Sequence, residues 1–204
     1  MTRLGMTAIL MLGAWSPFAD AAAPSFDCAK AESTVEEAIC ASDQLAALDQ
    51  EVTRLYRLAT KTPDIDPARL NDLKAFQRGW IKGRDECWKS SLDLDVCIAQ
   101  SYAFRIAELR TEFSHARSED GASDGPYPYV CEGLNYPLSV AFIDAPELMV
   151  AVTAKDLSFA LPVTRAASGV RYSDETTTFW LKGDDALYTT AEGETLECRK
   201  DDAG

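Results

Sequence analysis

Residues 167–187 read ASGVRYSDETTTFWLKGDDAL, and they alternate short strand-forming runs with turn signals. The β-branched and aromatic runs are bounded by Ser168-Gly169 on one side and Lys182-Gly183 on the other. Glycine accepts a positive φ and adds no side chain, so it favours a turn that protrudes from its strands. The stretch therefore predicts consecutive antiparallel strands, with an exposed Ser-Gly turn fourteen residues before a lone cation, Lys182.

The same alternation continues over the whole second half of the chain. Turn residues such as Asn135, Asp144-Ala145-Pro146 and Glu192-Gly193 separate short β-prone runs. Eight such runs are predicted: 127–131, 138–143, 148–153, 157–162, 170–172, 178–181, 186–190 and 195–199. Short strands at this spacing favour a closed antiparallel barrel or a sandwich, and we predict a small antiparallel β-barrel of about eight strands.

The first half has the periodicity of helices. Apolar residues recur at spacings of three and four in three segments: 35–59, 70–88 and 98–113. The block Thr34-x-x-Glu37 predicts a capping box, Asp66-Pro67 predicts a helix start with proline at its first position, and Asp95 predicts a third cap. Short connections between such helices favour a small bundle.

The chain thus has an α+β composition with the two structural types in separate domains. We expect the helical domain over 24–115 and the barrel over 127–200. Between them, residues 116–126 read ARSEDGASDGP, which has no apolar period and is typical of a linker.

The first residues are predicted to be a secretory signal peptide over 1–21. Arg3 supplies a positive start, residues 6–15 are apolar but too short to span a bilayer, and Ala19-Asp20-Ala21 is a cleavage pattern. We expect a periplasmic or secreted protein with no membrane insertion after cleavage.

Six cysteines in an exported chain predict three disulfides rather than free thiols or a metal site. Cys131 and Cys198 lie in the first and last predicted strands, so a bridge between them would join the ends of the barrel. The remaining four are Cys28, Cys40, Cys87 and Cys97, and of their three pairings we favour 28–40 with 87–97. We predict no metal and no cofactor.

The net charge of −13 is unevenly distributed. Residues 24–117 carry 13 Lys/Arg and 16 Asp/Glu, whereas residues 118–204 carry 6 and 16. An acidic domain attracts basic partners and repels nucleic acid. The sequence contains no G-x-S-x-G, P-loop or HExxH pattern, and its one histidine, His115, has no evident catalytic partner. We therefore predict a protein that is not an enzyme.

The second half resembles the C-type-specific (MliC/PliC) lysozyme inhibitors. In that family an SGxxY turn precedes a stretch that begins WxKGxxA, and here the turn reads 168–172 and the stretch, with the leucine that follows it, reads 180–187. The resemblance implies a basic C-type lysozyme as partner, with Ser168 bonding one active-site carboxyl group and Lys182 neutralising the other. The family often has a serine two positions before the turn serine, where this chain has Ala166.

The resemblance also implies supporting roles in partner binding. Gly169 keeps the turn thin, Gly183 permits the bend after the lysine, and Tyr172 braces the turn or contacts the cleft wall. Arg171 is an additional candidate cation. Trp180 is expected in the core, since it alternates with its neighbours along a strand.

The first half resembles the LprI-type (DUF1311) domain, some members of which are proposed lysozyme inhibitors. The matching residues include Asp27-Cys28, Cys40, Leu45, Leu48-Asp49, Tyr56, Gln77, Trp80, Arg84-Asp85, Cys87, Cys97, Tyr102 and Arg105-Ile106. We expect Trp80 and Tyr102 to lie in the core and Arg84 with Asp85 to form a structural ion pair. Two other functions stay open: an envelope protein–protein interaction module and a small-ligand-binding barrel.

Overall fold

The computed structural model describes residues 23–201, so the predicted signal peptide lies outside the described residues. The first part of the described chain is helical. Its α-helices are α1 (Thr34–Ala41), α2 (Asp43–Thr60), α3 (Pro67–Arg84) and α4 (Leu94–Glu112), and short 3-10 helices span Cys28–Lys30, Cys87–Lys89 and Ser114–Arg117. No helix within residues 23–201 combines the length and the apolar character needed to cross a membrane.

The second part is a closed barrel of eight antiparallel strands in sequential order, which confirms the predicted fold class. The strands are β1 (Ser123–Cys131), β2 (Leu138–Ile143), β3 (Met149–Ala154), β4 (Leu157–Thr164), β5 (Val170–Ser173), β6 (Thr178–Lys182), β7 (Asp185–Thr189) and β8 (Thr195–Lys200). β1 pairs with both β2 and β8, so no strand edge is left open.

The three disulfides have the favoured pairing: Cys28–Cys40, Cys87–Cys97 and Cys131–Cys198. Cys131 and Cys198 are direct cross-strand neighbours in β1 and β8, where the barrel closes. Their bridge spans 67 residues of sequence. In the chain-entropy account such a loop stabilises a fold by about 4 kcal/mol, which matters for so small a core.

The helix starts differ slightly from those predicted. The capping box is formed by Ser33 and Glu36, one residue before the predicted pair, because the Ser33 hydroxyl accepts from the Glu36 amide and the Glu36 carboxylate accepts from the Ser33 amide. Asp66 caps α3 with Pro67 behind it, as predicted. Asp95 does not cap α4; it lies in the first turn, and Asp93 occupies the cap position without a side-chain bond.

Helix α3 is more exposed than its apolar stripe predicts. Leu73 is buried, whereas Phe76 is 66% exposed and Ile81 is 37% exposed. The helix packs on α4 along a narrow strip, and Trp88, also expected to continue the stripe, is exposed beyond its end. The predicted apolar stripe therefore includes residues that are not buried, since apolar spacing alone does not show how much of a helix face packs against another element.

The helices and the barrel pack directly against each other. Helix α4 lies on β1–β4, and the outward side chains Ile143, Met149 and Ala151 belong to the same buried cluster as the helical core. Strand β3 is thus buried on both faces over 149–152. The side chain of Gln44 adds two bonds to the backbone of Glu147, at 2.9 and 2.7 Å.

The predicted linker, 116–126, is ordered within this contact. Ala116 is fully buried in a 3-10 helix, and β1 begins at Ser123, inside the segment expected to be a spacer. Glu51 of α2 accepts from the Arg54 guanidinium, the Ala122 amide and the Ser123 hydroxyl. Polar groups of the segment are thus bonded to side chains of α2 and α4, while residues 117–121 remain exposed.

Candidate partner-binding site

The loop that joins β4 to β5 presents Ser168 and Gly169 on the protein surface, and both residues are exposed. Gly169 has a φ of +66°. A Cβ at this position would lie 2.1 Å from the carbonyl oxygen of Leu181 in β6. Glycine is therefore required twice over, for the left-handed backbone and for the close approach to the neighbouring strand.

Trp180 lies on the outside of the barrel, not in the core as expected. Its neighbour Phe179 points inward and is fully buried, and successive strand residues face opposite sides. The half-buried indole folds back along the surface, and its Nε1 donates a 2.9 Å hydrogen bond to the carbonyl oxygen of Ser168. The Ser-Gly loop is thus bonded to β6.

Lys182 ends β6 on the same side of the barrel. It is exposed, and its Nζ lies 4.0 Å from the centroid of the Trp180 ring, which is a cation–π contact. Within residues 23–201 no carboxylate lies within ion-pair distance of this ammonium. Gly183, with a φ of +70°, starts the tight turn that pairs Lys182 with Asp185. The Ser168-Gly169 loop and Lys182 consequently both contact the indole of Trp180.

Arg171 and Tyr172 face opposite sides of β5. Arg171 lies across from Trp180 on the outer face, and its Nε donates to the Thr164 hydroxyl at 3.1 Å. Tyr172 lies inside the barrel, 5% exposed, and burial raises the pKa of its phenol. Two roles were expected for Tyr172, bracing the turn or contacting the partner. A buried ring can support β5 beneath the loop, whereas direct contact with a partner would require an exposed ring.

A surface groove of about 520 Å³ runs beside Lys182 across β6, β7, β8 and β1. Its floor includes Trp180 and Leu187, and Val130 at its far side is 52% exposed. Asp185 and Arg199 form a 2.8 Å ion pair at its edge, and this bond from the guanidinium lowers the pKa of Asp185. This groove could not be found from the sequence, because it forms only where the barrel closes and the distant β1 pairs with β8.

The barrel interior is filled by its own side chains. Tyr129 and Phe179 meet edge to face, with ring centroids 5.5 Å apart, and aliphatic residues with two further tyrosines extend the cluster. The buried members include Leu138, Val140, Val150, Val152, Leu161, Tyr172, Tyr188 and Leu196. This packed core gives the small-ligand alternative no support. No group of three or more His, Cys, Asp or Glu residues in the described part of the chain could hold a metal ion.

Four of the matched polar residues of the helical part, Asp49, Arg84, Asp85 and Tyr102, form one hydrogen-bonded network. Arg84 donates to Asp85 at 2.8 Å and to the Tyr102 hydroxyl at 2.8 Å, and Tyr102 donates to Asp49 at 2.9 Å. Burial raises the pKa of Tyr102, so the phenol stays protonated as a donor. Trp80 stacks obliquely on Tyr102, with ring centroids 5.4 Å apart. The predicted Arg84–Asp85 pair is present, and the network joins three helices.

Both halves of the chain match known families. Residues 27–109 match the family described as "Lysozyme inhibitor LprI", and residues 129–197 match the "Membrane-bound lysozyme-inhibitor of c-type lysozyme" family. Among solved structures, Pseudomonas aeruginosa MliC in complex with hen egg white lysozyme is similar, at 21% identity and a TM-score of 0.34, covering 41% of this chain and 88% of that one.

Two curated proteins illustrate the relationship over longer stretches. Lipoprotein LprI of Mycobacterium tuberculosis is 26% identical over 161 residues, which is 78% of this chain and 76% of that protein. An uncharacterized protein of Rhizobium meliloti, R02472, is 31% identical over 130 residues, covering 53% of this chain and 94% of the relative. Two families described as lysozyme inhibitors therefore match this chain one after the other, with the LprI-type unit over residues 27–109 preceding the MliC-type barrel over residues 129–197.

Proposed function

We propose that this protein is a periplasmic or secreted inhibitor of C-type lysozyme, and that the Ser168-Gly169 loop and Lys182 enter the active-site cleft of the enzyme. The MliC-type barrel suggests the class of enzyme, since its family is described by that target. Three disulfides agree with a location outside the cytoplasm. Cleavage of polysaccharide would stop because the cleft is occupied.

One observation carries this proposal. Ser168 lies before β5 and Lys182 is the last residue of β6, yet Trp180 contacts both, through its N–H and through its ring face. The backbone of the loop that carries the Ser168 hydroxyl and the ammonium of Lys182 are therefore both next to one indole, and both residues are exposed. Such a pair suits a cleft that contains two carboxyl groups close together.

The chemistry of the enzyme explains why these two groups would inhibit it. C-type lysozyme keeps one glutamic acid protonated in an apolar pocket and a nearby aspartate ionised. An ammonium entering the cleft neutralises the ionised carboxylate, and a hydroxyl hydrogen-bonds the protonated group. Both interactions are made in a site from which water is excluded, where charge-assisted bonds are strongest.

The direct test compares Lys182→Ala with the parent in lysozyme binding by calorimetry and in cell-wall lysis. Removing Lys182 would leave the enzyme's carboxylate buried without a partner, which costs about 2–5 kcal/mol of binding. Ser168→Ala should cost about 1–3 kcal/mol, as for one lost buried hydrogen bond. Thermal stability should not change for either variant, because both side chains are exposed in the free protein.

Lys155→Ala is the matched control for the lysine variant. Lys155 lies in the β3–β4 turn, its side chain is 72% exposed, and its removal changes the net charge by the same amount. We expect it to bind lysozyme like the parent. If Lys182→Ala also binds like the parent while it remains folded, the proposed insertion is wrong.

A further inference from the structure

Trp180 contacts both elements of the proposed contact surface and is itself only half-buried. Its Nε1 donates to the Ser168 carbonyl oxygen at 2.9 Å, and its ring lies 4.0 Å below the Lys182 ammonium. A tryptophan on the outer face of a small barrel adds little to the core, since Phe179 fills the interior position beside it. Its contacts are instead directed at two surface groups.

The two contacts restrict different degrees of freedom. The indole N–H holds the backbone of an exposed loop whose residues 165–169 lie outside both neighbouring strands. The ring face holds a four-carbon lysine side chain that would otherwise sample many rotamers. Ordering a flexible side chain on binding costs free energy, so a group that is ordered beforehand binds more tightly.

We propose that Trp180 is a positioning residue that joins the Ser168-Gly169 loop and Lys182 into one pre-organised binding surface. This inference rests on the proposed function and deepens it. Trp180 does not need to enter the enzyme's cleft. It acts through its neighbours: the N–H sets where the loop backbone lies, and the ring sets the direction of the ammonium.

NMR of the free protein, without lysozyme, can test whether Trp180 orders the Ser168-Gly169 loop and Lys182. In Trp180→Phe the ring is kept and the N–H donor is lost, so backbone amides at 165–169 should gain fast motion in NMR relaxation while the Lys182 ε-methylene protons keep their upfield ring shift. In Trp180→Leu both signatures should change. Unchanged relaxation and unchanged Lys182 shifts in Trp180→Leu would overturn the proposal; if that variant does not fold, the loop relaxation in Trp180→Phe decides.

A double-mutant cycle of Trp180 and Lys182 tests whether this positioning strengthens lysozyme binding. We expect about threefold weaker lysozyme affinity for Trp180→Phe and about tenfold for Trp180→Leu, but only about threefold for Trp180→Leu when Lys182 is already alanine. Equal losses in both backgrounds would show that Trp180 does not act through Lys182 and would overturn the proposal. If Lys182→Ala alone has no effect, the proposed function fails, whereas the NMR signatures still decide the link.

Trp88→Leu is the matched control. Trp88 is 62% exposed and also lies under a lysine, Lys89, at 4.8 Å, but on the helical part of the chain. We expect it to change neither loop relaxation nor affinity. A tenfold loss of lysozyme affinity in Trp88→Leu would mean that removing any exposed tryptophan weakens binding. That result would also overturn the assignment to Trp180.

Discussion

Gly169 approaches β6 more closely than any residue with a side chain could. Its α-carbon lies against the backbone of Leu181, and its left-handed conformation turns the chain from the loop into β5. The Ser168 carbonyl is thereby brought to the Trp180 indole. The close approach of the Ser168 backbone to β6 thus requires a glycine at the next position.

We expect Gly169→Ala to displace the loop and to weaken lysozyme affinity by about tenfold or more. A non-glycine residue at this φ costs about 1–2 kcal/mol, and the added Cβ must also move away from the Leu181 oxygen. Affinity and melting temperature measure the two effects. Gly193→Ala is the control: Gly193 has a φ of +86° but open space at the Cβ position, so it should lose stability and keep affinity. Parent-like affinity of Gly169→Ala would contradict this role of the loop.

At the level of elements, α2 is joined to the start of β1 by a buried carboxylate. Glu51 is 3% exposed and accepts from Arg54 at 2.8 and 2.7 Å, from the Ala122 amide at 3.2 Å and from the Ser123 hydroxyl. Arg110 of α4 donates to Ser123 at 3.1 Å from the other side. These bonds satisfy the polar groups that the helix–barrel contact buries.

We expect Glu51→Ala to destabilise the protein by about 3 kcal/mol, because it leaves Arg54 and Ser123 without their buried acceptor. Chemical denaturation measures the loss. Glu119→Ala removes the same charge from an exposed pair with Arg57, whose two side chains are 48% and 55% exposed, and should cost about 0–1 kcal/mol. Equal losses in the two variants would mean that the Glu51 network does not hold the two parts together.

The elements themselves were largely predictable from local sequence. Strand runs bounded by turns predicted eight strands. Of the three predicted helix caps only the Asp66-Pro67 start of α3 was correct, where Asp66 accepts from the amides of the first turn and Pro67 fits its first position. The outward position of Trp180 was not predictable: Phe179 and Trp180 are adjacent aromatics, and pairing with β5 and β7 decides which faces inward. The 116–126 segment was misjudged for a similar reason, since its polar residues are satisfied by a distant helix.

The helical part and the barrel share a buried cluster, so the molecule behaves as one packed body along α4. The proposed binding site lies on the barrel alone, in β5, β6 and the loops beside them. Helix α4 covers the outer face of β2 and β3, including Ile143 and Met149, which are 1% and 4% exposed. Stability therefore depends on both parts, whereas the proposed binding surface depends on one.

We expect a fragment of residues 123–204 to inhibit lysozyme, but to melt at a lower temperature than the full chain. It keeps the proposed site and the Cys131–Cys198 bridge, and it exposes the apolar face that α4 covers. Melting temperature and lysis assays measure the two properties separately. A fragment as stable as the full chain would show that the shared cluster adds little, and inhibition by the helical part alone would locate the activity in the other unit.

The charge of the whole molecule leads to a kinetic expectation. The chain carries −13, most of it in residues 118–204, and C-type lysozymes are basic, so long-range attraction should speed their encounter. Screening shortens to about 8 Å at 0.15 M salt, so the association rate should fall steeply as salt rises. The dissociation rate should change less, because Lys182 would pair with a carboxylate of the enzyme in a site from which water is excluded. Measuring both rates at low and at high salt tests this expectation. An association rate that does not change with salt would contradict electrostatic steering. A dissociation rate that rises as steeply as the association rate falls would contradict a buried ion pair of Lys182.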